Sequence, residues 1–237
     1  MPHVTAGLLE TLMPESPVRH PLLGGVSAFQ RDTAPLVREE LARLAREGQR
    51  PTQLFLTCAD SRLVTSMITS SRPGEMFTVR NVGNLVPPPG TESACDSVAA
   101  AIEYAVEVLQ VGSITICGHS GCGAVQALLN SGHGSCAQTP LTRWLRHGRP
   151  SLRRLARQES ALLADRPEAD KAELLCLVNI VQQLDHLGAH PCVARRAAAG
   201  ELRLDGMYFH VAEAQAYLLD REHGTFAAVH PGATAQV

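Results

Sequence analysis

The sequence predicts an α/β fold: a mostly parallel central β-sheet flanked by helices, with a helical arm at the amino end. Two apolar runs, Leu54-Phe55-Leu56 and Ile114-Thr115-Ile116-Cys117, read as buried strands. Between them Val98, Ile102, Ala105, Val106 and Leu109 fall on one face of a helix, and residues 123–129 read as the helix after the second strand. Strand, helix, strand, helix is the order of a parallel sheet with crossover connections.

At 237 residues the chain is long enough for one well-buried domain. We place a proline-rich arm or tail at residues 1–21 (Pro2, Pro14, Pro17, Pro21) and a single α/β domain at 22–237. Apolar content of 45% and charged content of 19% are ordinary for a globular protein. A net charge of -2 offers no electrostatic case for nucleic acid or membrane binding, and no apolar run approaches the ~20 residues that cross a bilayer. Lys171 is the sole lysine among many arginines. Residues 1–14 lack the charged start and apolar core of a secretory signal. Seven cysteines, an odd and sparsely spaced set, point to a reducing compartment, the cytoplasm.

The elements follow in order. Residues 22–47 are helical, with Leu36, Val37, Leu41, Leu44 and Ala45 at helical spacing; Pro35 splits the stretch in two and Gly48 stops it. Residues 53–57 form the first strand and 76–80 the next, before the stiff loop Pro87-Pro88-Pro89-Gly90. Residues 97–109 are helical and feed the strand at 114–117. Residues 140–164 read as helix, interrupted near Pro150. Their arginines (Arg143, Arg146, Arg149, Arg153, Arg154, Arg157) alternate with Leu145, Leu152 and Leu155, so we read a solvated amphipathic face before an anion site. A helix follows at 172–187, a strand at 202–211 broken by Asp205-Gly206, and an edge strand at 225–229.

Chemistry concentrates just past the two apolar runs, at Cys58-Ala59-Asp60-Ser61-Arg62 and Gly118-His119-Ser120-Gly121-Cys122-Gly123. Loops beyond the carboxyl ends of neighbouring parallel strands meet in one crevice. Cys58, His119 and Cys122 then give a zinc ion two thiolates and an imidazole, with a fourth position left over. No second paired Cys or His motif lies nearby, which favours a catalytic zinc over a structural one. Asp60 and Arg62, two residues apart, suit a bidentate ion pair that keeps the carboxylate charged. Such an Asp orients a metal-bound nucleophile, or becomes the fourth ligand if the pair breaks. A plain loop salt bridge is the simpler alternative. Competing motifs fail on single letters: Cys122 stands where a nucleophile elbow needs glycine, no lysine completes a phosphate loop, and His119 replaces the first cysteine of a redox dithiol. Cys117 and Cys176 read as small core residues, while Cys95, Cys136 and Cys192 sit near loops.

These motifs, with Arg80-Asn81-Val82-Gly83-Asn84 between them, resemble the signature of the β-class carbonic anhydrases, and the resemblance spans roughly residues 48–211. It implies Zn2+ held by Cys58, His119 and Cys122, an Asp60–Arg62 dyad, and hydration of carbon dioxide to bicarbonate and a proton by attack of zinc-bound hydroxide. It also implies a homo-oligomer, dimer or tetramer. Gln49, Phe77 and Tyr104 match residues that line the family's substrate cleft, and backbone groups near Gly121 would steady the substrate. Phe55 stands where the closed subtype carries Trp, and Gln49 is present, so the open subtype with water as fourth ligand is expected. Thr57 departs from the small residue common before the first ligand. Two rival functions make different demands on the sequence. The same chemistry on carbon disulfide would want a narrow tunnel built by chain ends, and a non-catalytic bicarbonate sensor would have lost a ligand or the dyad.

Overall fold

A computed structural model of the chain describes residues 21–90, 96–130, 139–157, 162–168 and 170–232. The described residues fall into two compact units, which divide between Gly48 and Gln49.

The first unit holds helix α1 (Pro21–Ala28), a wider π-helical turn (Phe29–Thr33) and helix α2 (Ala34–Glu47). Pro35 lies in the first turn of α2, where its missing N–H costs nothing. Gly48 ends the helix with φ of 80° and returns its N–H to the Leu44 carbonyl at 2.8 Å. Leu22, Leu23, Val26, Phe29, Leu36 and Leu41 are exposed on this unit.

The second unit is built on a sheet. Strand β1 (Gln53–Cys58) lies between β2 (Met76–Asn81) and β3 (Ser113–His119), and β5 (Arg203–His210) follows β3. All four are parallel. Strands β6 (Gln215–Asp220) and β7 (Thr225–Ala228) continue antiparallel, and the two-residue strand β4 (Leu162–Leu163) pairs with β7. The expected mostly parallel sheet is present, with an antiparallel extension. The 225–229 stretch is not the edge among the described residues, because β4 covers β7 there.

Helices flank this sheet: α3 (Thr65–Thr69), α4 (Ser97–Glu103) widening into a π-helical turn at Tyr104–Val108, α5 (Gly123–Asn130), α6 (Pro140–Leu145), α7 (Arg149–Ala156), α8 (Lys171–Gly188) and α9 (Pro191–Ala198). The break expected near Pro150 is a 3-10 turn at Arg146–Gly148, and Pro150 itself opens α7. The helix expected to reach residue 164 instead yields to β4; residues 158–161 lie outside the described part.

Helix α8 packs across β3 and β5, with Leu175, Leu177, Val178, Ile180 and Leu184 buried. That packing corrects one expectation. Asp205-Gly206 reads as a turn, yet β5 runs through it without a break. A Cβ on Gly206 would stand 2.9 Å from Leu219 Cδ2 and 3.1 Å from Ile180 Cγ2, so glycine is there for close approach and not for a turn. Gly206→Ala is therefore expected to destabilise the fold by about 1–3 kcal/mol through overpacking. Urea unfolding monitored by circular dichroism measures it, and an unchanged midpoint would refute the packing argument.

Candidate metal centre

Register sets the site. Thr57 of β1 pairs with Cys117 of β3, so the chain past each strand leaves the sheet at one level. Cys58 is the last residue of β1, and His119 the last of β3. Gly121, at φ of 63°, makes the tight turn that brings Cys122 back beside them. Ser120 pins this turn to β5: its N–H donates to the Phe209 carbonyl at 3.0 Å, and its hydroxyl accepts from Val211 N–H at 2.8 Å.

The three residues are buried, and their ligand atoms lie within 4.8 Å of one another. The sulfurs of Cys58 and Cys122 are 4.0 Å apart. Two sulfurs bound at 2.3 Å to one tetrahedral ion stand about 3.8 Å apart, so the spacing fits zinc. His119 adds a sharper test. Its Nδ1 is 3.0 Å from the Ser120 carbonyl, which can only accept, so Nδ1 carries the proton. Nε2 is left as a bare lone pair, fully buried and without a hydrogen-bond partner. An unpartnered buried acceptor beside two thiols is the donor set of a zinc site.

Thiolate character is supported locally. Gly83 N–H points at the Cys58 sulfur from 3.4 Å. A hydrogen bond from Cys122 is the main cause that lowers the Cys58 pKa, and that same contact, with burial, raises Cys122. Burial pushes the thiols of Cys117 and Cys176 up to about 12, in keeping with inert core residues. Cys192 is half-buried, and Cys95 and Cys136 lie outside the described residues.

Asp60 and Arg62 meet as a two-pronged pair: Nε donates to Oδ1 at 2.9 Å and Nη2 to Oδ2 at 2.7 Å. The Arg62 backbone N–H also donates to Oδ1, and Nη2 reaches the Gly121 carbonyl at 3.0 Å. The Arg62 hydrogen bonds hold the Asp60 carboxyl well below the usual carboxylate range. Asp60 Oδ2 stands 3.9 Å from His119 Nε2, so the carboxylate faces the metal position while tied to the guanidinium.

The remaining expected site residues are elsewhere. Phe77 and Tyr104 pack on each other, ring centres 5.8 Å apart. Phe77 is four residues upstream of Asn81, the register partner of Cys58, and so about 13 Å along the sheet from the ligands of its own chain. Gln49 is exposed and precedes β1, whose amino end lies about 16 Å from Cys58. Thr57 is accommodated without strain, its hydroxyl donating to the Cys117 carbonyl at 3.0 Å.

Sequence reasoning missed the support beneath the ligands. Arg80, seen only as a motif letter, donates to the carbonyls of Cys58 at 3.2 Å and Asp60 at 2.6 Å. The loop after β2 is held group by group. Asn81 brackets the Leu85 N–H and carbonyl, Asn179 donates to Gly83 O, and Gln183 accepts from Val86 N–H. His186 Nδ1 donates to Val86 O, and His190 Nε2 to Pro87 O. Buried peptide groups require such partners. The signal was present: Asn179, Gln183, His186 and His190 recur at spacings of four, three and four in and just beyond α8, beside the apolar residues of that helix.

A family model described as carbonic anhydrase matches residues 53–216. The chain is 37% identical over 216 residues to a carbonic anhydrase of Pseudomonas aeruginosa, covering 89% of this chain and 92% of the relative. The chain belongs to the β-class carbonic anhydrases. The solved β-carbonic anhydrase CcaA superimposes with a TM-score of 0.79 at 30% identity, over 91% of this chain and 93% of that one. A tetrameric β-carbonic anhydrase of Sordaria macrospora does so with 0.68 at 25% identity, over 85% and 96%. This β-carbonic anhydrase catalyses the reversible hydration of carbon dioxide to bicarbonate and a proton, and its family is zinc-dependent. No described helix is long and apolar enough to cross a membrane.

His186 beneath the loop and His147 make stability depend on pH. Burial is the main cause that lowers the His186 pKa; the Val86 carbonyl and Asp185 oppose it, and His190 and Arg153 add to it. Burial, then His186, lowers His147 in the turn before α7. Below about pH 6.5 the unfolded chain takes up protons that the folded one resists, so stability falls as pH drops, by up to about 1.4 kcal/mol per pH unit for each group. Urea melts at about pH 7.5 and about pH 5.5 should show this slope, reduced in His186→Gln. An equal slope in the variant would assign the effect elsewhere.

Proposed function

We propose that Cys58, His119 and Cys122 hold one zinc ion and that Asp60 orients the attacking water. The observation that carries this is the Asp60–Arg62 pair facing the bare Nε2 of His119. Zinc, when bound, supplies a Lewis acid that makes water a nucleophile near neutral pH. Asp60 accepts a hydrogen bond from that water and aims an oxygen lone pair at the carbon of carbon dioxide. The net reaction would join that water's oxygen to the carbon, move a C=O π pair onto oxygen and release a proton to solvent. Arg62, anchored on the Gly121 carbonyl, keeps Asp60 charged and off the metal, which favours the open arrangement.

Gln49 donates its amide N–H to a bicarbonate oxygen, backbone groups near Gly121 steady the substrate, and Phe77 with Tyr104 forms an apolar wall for a nonpolar gas. In this reading the wall comes from a second copy. It is supported by the distance of the Phe77–Tyr104 pair from its own ligands and by the exposure of Tyr104. The domain of residues 22–237 then works as a homo-oligomer, a dimer at least, and the tetrameric Sordaria relative shows one assembly open to such proteins. Two essential thiols fit a reducing compartment, the cytoplasm.

Asp60→Asn is expected to lower the hydration rate about a hundredfold in stopped-flow assays while zinc content stays at one per chain. Wild-type activity in that variant would end the assigned role. Cys122→Ser should lose zinc by elemental analysis, and full retention would overturn the ligand set. Hydration by the zinc-loaded enzyme should rise smoothly from about pH 6.5 to about 9. Onset only above about pH 8 would show that Asp60 leaves Arg62 for the metal.

A further inference from the structure

Outside the metal centre, one feature of the second unit is unabsorbed by catalysis. A cleft of about 330 Å³ lies between α5 and the α6–α7 region, with Leu128, Leu141 and Leu145 among its lining and Arg146 and Arg149 at its side. That volume is at the lower end of ligand-sized clefts. No acidic side chain lines it among the described residues. Leu141 is half exposed, so the apolar floor reaches solvent.

The arginines continue beyond the cleft. Arg149, Arg153 and Arg157 are spaced four apart and share one face of α7 and its cap, an exposed stripe about 12 Å long. Their side chains have no ion pair or hydrogen bond among the described residues. The neighbouring Arg154, on another face, is paired with Asp185. A solvated amphipathic face accounts for arginines beside leucines. It does not account for an apolar cleft opening onto a row of arginines that are unpaired among the described residues, in a chain whose net charge is -2.

We propose that this cleft and stripe form a docking groove for an acidic peptide segment carrying one apolar anchor. The anchor fills the space between Leu128, Leu141 and Leu145, and its carboxylates lie along Arg149, Arg153 and Arg157. The length of the stripe favours an extended polyanion over a small organic acid, which would need only the rim. Planar guanidinium groups suit paired recognition of carboxylates, and the apolar contact supplies what charge alone does not, a register.

The test uses the zinc-loaded enzyme and two fluorescein-labelled peptides, one with a leucine ahead of a run of glutamates, the other with glycine in place of that leucine. Fluorescence anisotropy at low salt should show saturable binding of the leucine peptide, weaker by about tenfold for the glycine peptide. Arg149→Glu/Arg153→Glu/Arg157→Glu should abolish binding, and Leu141→Glu should remove the preference for leucine. Both should keep wild-type hydration rates, since none of these residues belongs to the catalytic centre. If charge reversal unfolds the protein, Arg153→Gln/Arg157→Gln carries the same test, with a loss of about tenfold. Equal affinity for the two peptides, undiminished binding by the arginine variants, or no binding of the leucine peptide would each overturn the proposal. So would tighter binding of a thymidine oligonucleotide of equal charge, or self-association of the enzyme that the arginine variants abolish.

Discussion

Everything at the metal centre follows from where β1 and β3 stop. Parallel pairing fixes Cys58 and His119 at the same end of the sheet, and a slip of one residue would turn every side chain of a strand to the other face. The register is secured far from the ligands, by Leu54, Leu56, Ile114 and Ile116, all fully buried, and by α8 lying across β3 and β5. Core packing and ligand geometry are therefore one problem. A strand pairing specified by apolar burial, together with the Gly121 turn just past β3, is also what places two sulfurs 4.0 Å apart.

A second layer turns that placement into a defined electrostatic state. The loop after β2 passes beneath the ligands, and its peptide groups are taken up by Asn81, Asn179, Gln183, His186 and His190. Held in this way, Gly83 presents an N–H to sulfur and Arg80 grips the carbonyls on either side of Ala59. A buried polar network with its members satisfied is rigid. Rigidity is what a metal site requires of its surroundings, because ligands that move would trade one coordination geometry for another.

Much of this was legible in the sequence where one physical rule dominates. Apolar runs bounded by turn residues gave β1 and β3, and thiol and imidazole spacing pointed to Cys58, His119 and Cys122, whose ligand atoms the fold brings within 4.8 Å of one another. Prolines and Gly48 marked the helix ends, as with the break ahead of Pro150. Legibility failed where a residue type has two uses. Gly206 serves close packing against Ile180 and Leu219 yet looks like a turn residue, and β6, with Leu218 exposed beside buried Tyr217, shows no clear alternation. It failed again for the loop supports, since Asn179 and His186 act through backbone groups about a hundred residues away. Phe77 and Tyr104 were recognised as a pair with a common purpose, but only register showed how far they stand from the ligands of their own chain.

The choice of arginine on the α7 stripe has a consequence of its own. Guanidinium keeps its charge at any pH a cell reaches, whereas an imidazole in the same place would gain charge on acidification. Each turnover of this enzyme in the hydration direction releases a proton. A face built from Arg149, Arg153 and Arg157 is blind to that product, so the surface charge seen by a neighbouring molecule stays constant however hard the catalyst is working.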